Sequence, residues 1–271
     1  MSSMSRRSFV GLSSGVLAAT GLVLAGCGSS SSSSSSSDSS SDSGFSKSSY
    51  TIATDTTFAP FEFTDSSGNF VGIDVDILAK AAELTGFKYE LNSLGFDAAV
   101  AALESNQADG VIAGMSITDE RKQKYDFSDP YYDSYVCMAA KAGSGISGYE
   151  DLNGKTVAAK TGTMGATCAE ELSSKYGFTL TYFDDSSLMY QDVLTGNSVA
   201  CFEDYPVMSY GITQGNGLEV VTEEKDNYST PYGFAVMKGK NADLLSAFNS
   251  GLQQMKDSGD YDSIVDKYLK G

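Results

Sequence analysis

Histidine is absent from all 271 residues. That absence removes Ser-His-Asp and Cys-His nucleophile systems, and histidine-ligated metal centres, from consideration. Cationic residues are scarce as well: 18 Lys and Arg stand against 35 Asp and Glu, a formal net charge of −17. A surface of that sign repels phosphate backbones, so nucleic acid is not an expected partner. Cysteine occurs four times, at Cys27, Cys137, Cys168 and Cys201, with none of the close spacings that metal sites use. No metal and no cofactor is therefore expected. What remains is ordinary for a globular protein, 41% apolar and 20% charged, and long enough for two domains or one large one.

The first residues read as an address rather than as structure. Ser5, Arg6, Arg7, Ser8 and Phe9 precede an uncharged stretch from Val10 to Ala25, too short for a comfortable membrane span and followed by small residues, which is the pattern of a signal peptide over residues 1–26. The paired arginines look like a twin-arginine export signal; the alternative is a general secretory signal whose basic start holds two arginines. Leu24, Ala25, Gly26 and Cys27 resemble the lipobox of bacterial lipoproteins, which implies lipidation of Cys27. Residues 28–49 are mostly serine, too polar to bury anything, and with Cys27 form a flexible leash whose mean span is roughly 25 Å. The protein is expected outside the cytoplasm, anchored to the membrane by lipid. Cys137, Cys168 and Cys201 lie in apolar stretches and are expected as buried free thiols, with a Cys168–Cys201 disulfide as the alternative.

From Tyr50 onward strand-like and helix-like segments alternate, which predicts an α/β fold with mainly parallel sheets. Strands are expected at 50–54, 87–91 and 110–113, and helices at 74–84 and 96–105, with Asp74 as a helix cap. Thr118, Asp119 and Glu120 read as a cap and acidic first turn. A second series follows, with strands at 156–160, 179–183 and 199–202 and helices at 165–176 and 188–195. A strand at 232–237 and helices at 242–257 and 261–269 find no place by periodicity alone.

The run Ala53, Thr54, Asp55, Thr56, Thr57, Phe58, Ala59, Pro60, Phe61, Glu62, Phe63, continued by Gly72, Ile73, Asp74, Val75 and Asp76, resembles the opening of the amino-acid-binding receptors of ABC importers. Ala113, Gly114, Met115, Ser116, Ile117, Thr118, Asp119, Glu120, Arg121, then Phe127, Ser128, Asp129, Pro130, Tyr131, is the most specific match. Asp151 to Lys155, leading to Thr161, Gly162 and Thr163, is the next. The resemblance covers Tyr50 to the end. It implies a type II periplasmic-binding-protein fold, two α/β lobes joined by a two-strand hinge: residues 50–132 and 231–271 as a discontinuous lobe one, and 133–230 as lobe two.

The resemblance also assigns a ligand site, position by position. Arg121 matches the carboxylate clamp, a role that suits a planar guanidinium able to make two parallel charge-assisted hydrogen bonds. Ala113, Gly114, Ser116 and Thr163 complete the shell, and Asp204 matches the acid that receives the α-ammonium. Phe58 and Phe96 match the aromatic pair around the ligand stem, and Asp55 and Lys160 match positions that read the side chain in glutamine-binding relatives. Glu203 departs from those relatives, which carry histidine there, and either faces the ligand or turns away. Taken singly, Phe58 and Phe96 would read as core and Asp119, Glu120 and Arg121 as a helix start; the ordered set of motifs changes that reading. The implied function is capture of a polar amino acid, glutamine first, for delivery to a permease and ATPase. The alternatives are a cationic amino acid or cystine, an enzyme resembling the periplasmic cyclohexadienyl dehydratases, and a sensor or adhesion lipoprotein.

Overall fold

A computed structural model describes residues 44–270. The signal segment, Cys27 and most of the serine-rich stretch lie outside the described residues. The chain runs through β1 (Tyr50–Thr54), β2 (Phe63–Thr64), β3 (Phe70–Val71), α1 (Ile73–Thr85), β4 (Tyr89–Ser93), α2 (Phe96–Glu104), β5 (Gly110–Val111), α3 (Arg121–Lys124) and β6 (Tyr125–Phe127). It then crosses on the long β7 (Tyr132–Lys141) into β8 (Thr156–Lys160), α4 (Met164–Tyr176), β9 (Thr179–Phe183), α5 (Ser186–Thr195), β10 (Ala200–Asp204), α6 (Tyr205–Thr213) and β11 (Leu218–Glu223). It returns on β12 (Ser229–Tyr232) and ends with β13 (Ala235–Met237), α7 (Ala242–Ser258) and α8 (Asp260–Leu269).

Two large sheets result, one in the order β4-β1-β5-β13-β6 and one in the order β11-β7-β10-β8-β9, beside a small antiparallel pair of β2 and β3. In the first, β1 runs parallel to β4 and β5 while β13 is antiparallel to β5 and β6. In the second, β8 is parallel to β9 and β10, and β7 is antiparallel to β10 and β11. The two passages between sheets lie side by side, β12 pairing antiparallel with β7 from Ser229↔Tyr135 to Tyr232↔Tyr132. The carboxyl-terminal elements that periodicity left unplaced join the first sheet and its helical cover: β13 enters that sheet, and α7 packs on α1. These two helices approach closely enough that a Cβ on Gly251 would sit 2.7 Å from the Cα of Ala81.

Each sheet is apolar on both faces, as a sheet covered by helices on both sides requires. Strand residues alternate between faces with period two. Ile52, Ile112 and Phe234 therefore join one core cluster while Ala53, Val111 and Ala235 join another. In the second sheet Ala200 and Phe202 face one cluster, and Cys201 with Cys137 the other. Cys168 belongs to the cluster opposite Cys201, so the sheet stands between them; the three cysteines among the described residues are buried and free.

Two expectations are corrected. The end of the serine-rich stretch is docked rather than loose: the Phe45 ring packs 6.3 Å from Tyr50 and 6.4 Å from Phe87, and the Ser46 amide donates to Asp243 at 2.5 Å. Phenylalanine, not serine, is what makes that segment stick. Asp74 is not a helix cap either. Helix α1 begins at Ile73 after Gly72 with no side-chain cap, and the fully buried Asp74 carboxylate instead accepts the Gly114 amide at 2.8 Å and the Tyr131 hydroxyl at 2.7 Å. Long-range acceptance wins because Gly114 and Tyr131 bury donors that have to be satisfied.

Beside Asp74 lies Glu62, also fully buried, whose carboxyl oxygens have no other partner. Two carboxyls facing each other out of water are satisfied only by sharing a proton. Burial raises the pKa of Asp74 to about 7, and burial together with Asp74 and Asp55 raises that of Glu62 well above the usual carboxylate range. The pair therefore holds protons that the unfolded chain releases near pH 4, so its contribution is full in acid and is lost as pH rises through the folded values. Glu62→Gln keeps a donor toward Asp74 and removes one titration. Its melting temperature relative to wild type is expected to climb from pH 5 to pH 8; a difference independent of pH in thermal melts would refute the shared proton.

Candidate functional site

The residues that line the space between the sheets come from the carboxyl ends of parallel strands, where open α/β folds place their ligands. Asp55 follows β1, Ala113 and Gly114 follow β5, Lys160 ends β8, and Asp204 ends β10 and opens α6. Together with Phe58, Phe96, Ser116, Arg121, Thr163 and Met164 they line a nearly filled cavity of about 10 Å³, room for about one water molecule. Every site residue expected from the sequence lines it except Glu203. Met164 is the addition, brought in as the first residue of α4 directly behind Thr163.

Local structure explains the placements. Thr163 caps α4, its hydroxyl accepting the Ala166 amide at 3.2 Å and donating to the Lys160 carbonyl at 2.8 Å. Thr118 accepts the Arg121 amide at 3.1 Å, as its position before a helix suggested. Gly114 sits at φ 52°, and a Cβ there would lie 2.4 Å from the Phe58 ring. Glycine is thus what lets the backbone of one loop press against the aromatic floor of the site.

At one end of the cavity the Arg121 guanidinium donates to the Ser116 carbonyl at 3.0 Å and, across the cleft, to the Gly162 carbonyl at 3.0 Å. It lies over the Phe96 ring at 5.4 Å. Burial pulls its pKa down, with Asp204 opposing the effect, but a guanidinium stays charged. Asp204, 6% exposed, accepts hydrogen bonds from the Tyr232 hydroxyl and from Ser134 at 3.4 Å. Burial, then the nearby Glu203 carboxylate, raises its pKa to about 7. Tyr232 belongs to β12 and Ser134 to β7, so both hinge strands reach the acid.

At the other end Lys160 and Asp55, each 1% exposed, form an ion pair across the cleft, and the Lys160 ammonium lies over the Phe58 ring at 5.3 Å. Ser186, at the start of α5, accepts from Lys160 at 3.2 Å and donates to Glu203 at 3.0 Å. Glu203 is held behind the cavity by Tyr190 at 2.9 Å and by the Asp204 amide at 3.0 Å. Glu203 and Asp204 are neighbours on one strand, so they point opposite ways. That alternation was available in the sequence as the signal that only one of them lines the cavity. Ser134, Ser186, Tyr190 and Tyr232 were missed because each acts on a lining residue or on Glu203 behind it, and no motif marks them.

The arrangement presents a cation and an acid on opposite walls at one end, an apolar and aromatic midsection, and a paired cation and acid at the other. It offers a place for a short dipolar molecule with a polar tail. Among the described residues, no group of three or more His, Cys, Asp or Glu is arranged to hold a metal ion.

Comparisons with known proteins agree with this geometry. The family model of bacterial extracellular solute-binding proteins, family 3, matches residues 50–271. The arginine-binding extracellular protein ArtP of Bacillus subtilis is 31% identical over 94% of this chain and 96% of its own. An ancestral arginine-binding protein solved with glutamine bound is 35% identical over 83% of this chain and 99% of its own, with a TM-score of 0.75. The second substrate-binding domain of Lactococcus lactis GlnP, solved in the open conformation, is 42% identical over 83% of this chain and 97% of its own, yet its TM-score is only 0.56. Higher identity with poorer whole-chain superposition is what two conserved lobes set at a different angle produce. With its two-sheet architecture, its paired crossover strands and a family match that runs through both sheets, the chain belongs to the family 3 bacterial extracellular solute-binding proteins, the amino-acid-binding receptors of ABC importers with the type II periplasmic-binding-protein fold.

Proposed function

We propose that this receptor is held outside the cytoplasm by lipid on Cys27, captures a neutral polar amino acid, glutamine first, and hands it to a permease and ATPase. The observation that carries the ligand reading is the cross-cleft pairing of Lys160 with Asp55 at the end of a cavity whose other end holds Arg121 and Asp204. Arg121, Gly114, Ser116 and Thr163 receive the α-carboxylate, and Asp204 receives the α-ammonium. Phe58 and Phe96 flank the aliphatic stem. A side-chain amide then meets Lys160 with its oxygen and Asp55 with its nitrogen, so each partner finds the complementary group.

Binding and closure are one event in this reading. Residues 50–132 with 231–271 form one lobe and 133–230 the other, and they turn about β7 and β12. A closed cleft that buries Arg121 opposite Asp204 is costly until a zwitterion pairs both, so the ligand shifts the population toward closure by its differential affinity. The permease recognises the closed arrangement. A cationic amino acid is the second reading, favoured by the name of the Bacillus subtilis relative and by Glu203, which adds negative charge behind Lys160.

Isothermal titration of the folded fragment from residue 44 tests the ligand: glutamine is expected to bind tightly and arginine weakly, and tight arginine binding with no glutamine heat would reverse the order. Arg121→Ala removes the charge that faces the carboxylate, and truncating one side of a buried charge pair costs about 2–5 kcal/mol. A loss of about 30-fold or more in affinity is expected by the same technique, and wild-type heats in the variant would sink the carboxylate role. The acid end predicts a pH dependence. Asp204, with a pKa of about 7, has to be ionised to receive an ammonium, so binding releases a proton below that value. Only about 1% is ionised at pH 5, and apparent affinity there is expected to be about 100-fold weaker than at pH 8. Equal affinities at the two pH values would exclude Asp204 as the ammonium acceptor.

A further inference from the structure

Glu203 is 2% exposed and does not line the cavity, yet both of its oxygens accept hydrogen bonds, one from Ser186 and Tyr190 and the other from the Asp204 amide. A buried carboxylate is expensive unless charge compensates it. The compensating charge is Lys160, reached through one hydroxyl. The direction of that path is fixed by chemistry: an ammonium only donates and a carboxylate only accepts, so Ser186 accepts from Lys160 at 3.2 Å and donates to Glu203 at 3.0 Å. Tyr190 donates to the same Glu203 oxygen at 2.9 Å, leaving that oxygen no capacity to swing toward the ligand.

The consequence lies in the charge seen by a ligand side chain. Lys160 carries three N–H groups: one goes to Asp55, one to Ser186, and the third remains for the cavity. Its single positive charge is balanced twice, by Asp55 in front and by Glu203 behind, so the wall is net negative while still offering a donor. Such a wall accepts an amide oxygen and repels a carboxylate of the same shape. Without Glu203 the wall would be neutral and Lys160 less firmly aimed.

We infer that Glu203 is a positioning and specificity-determining residue that acts through Ser186 on Lys160, excluding amino acids with anionic side chains without touching the ligand. This rests on the reading that Lys160 and Asp55 face the ligand side chain. Asp204 is the other acid beside Glu203, and a change at 203 alters its readiness for the α-ammonium. That effect is common to all amino acids and cancels in a ratio between two of them.

The test is the ratio of glutamine to glutamate affinity at pH 8, measured by titration calorimetry on wild type, Glu203→Gln and Ser186→Ala. Glu203→Gln is expected to lower the preference for glutamine at least tenfold, with glutamate binding more tightly than it does to wild type. Ser186→Ala, which leaves both charges but cuts the path, is expected to lower it about threefold. A purely structural role would weaken both ligands in parallel and leave the ratio within twofold, and that outcome overturns the inference. If Glu203→Gln does not fold, an unchanged ratio in Ser186→Ala overturns it equally. If wild type instead prefers arginine, the glutamine reading fails on its own. The same variants are then compared on arginine against its neutral isostere citrulline, where Glu203→Gln is expected to lower the preference for arginine by the same factor and an unchanged ratio again refutes the role.

Discussion

An ion pair whose acid stands at the end of one sheet and whose base stands at the end of another exists only while the two sheets are held together. Lys160 and Asp55 form such a pair, almost wholly out of water. Removing two charges from solvent costs several kcal/mol each, and their attraction offsets this only with good geometry and with the remaining hydrogen-bonding groups satisfied. The surroundings meet that condition: Ser186 takes a second ammonium proton, the Thr56 amide donates to the other Asp55 oxygen at 2.6 Å, and the Phe58 ring offers its face to the ammonium. Cleft geometry and cleft electrostatics are therefore one constraint, since neither residue is satisfied in this way by its own sheet.

The sheets serve that constraint by where they end. Parallel strands deliver their carboxyl termini to one edge, and β1, β5, β8 and β10 each end at or just before a polar or small residue that lines the cavity while their interiors stay apolar on both faces. The paired crossover strands add a second link. Tyr232 on β12 and Ser134 on β7 bond each other at 3.0 Å and both bond Asp204, so the acid that faces Arg121 is tied to the paired strands that link the two sheets. A change in hinge geometry alters the hydrogen bonds to Asp204 directly, with no relay of intermediate residues.

Much of this was legible in the sequence because it is carried by contiguous segments. The alternation of strand-like with helix-like segments placed strands at 156–160 and 199–202, and the runs at 53–63, 113–121 and 161–163 marked which residues the cavity collects. What escaped was set by contacts between distant segments. Asp74 looked like a helix cap because its local context is that of a cap, whereas its actual donors lie at Gly114 and Tyr131, far along the chain. Phe45 sits in a stretch whose composition argues for a loose coil, and a single aromatic side chain against Tyr50 and Phe87 overrides that local tendency. Ser186 and Tyr190 belong to no motif and acquire meaning only once Lys160 and Glu203 are known to flank them.

The two ends of the cavity impose different kinds of selection. In the proposed reading the Arg121 and Asp204 end answers to the carboxylate and ammonium that every α-amino acid carries, so it contributes affinity but no discrimination among side chains. Discrimination falls to the far end, where the charge of Lys160 is divided between Asp55 in the wall and Glu203 behind it. Because an electrostatic field does not require contact, a residue that never meets the ligand can still weigh on selectivity where water is excluded between them. On that proposal selectivity is set by the net charge of the polar chain as well as by cavity shape, and a single substitution behind the wall shifts the preference among side chains while its effect on the Asp204 end is shared by every amino acid.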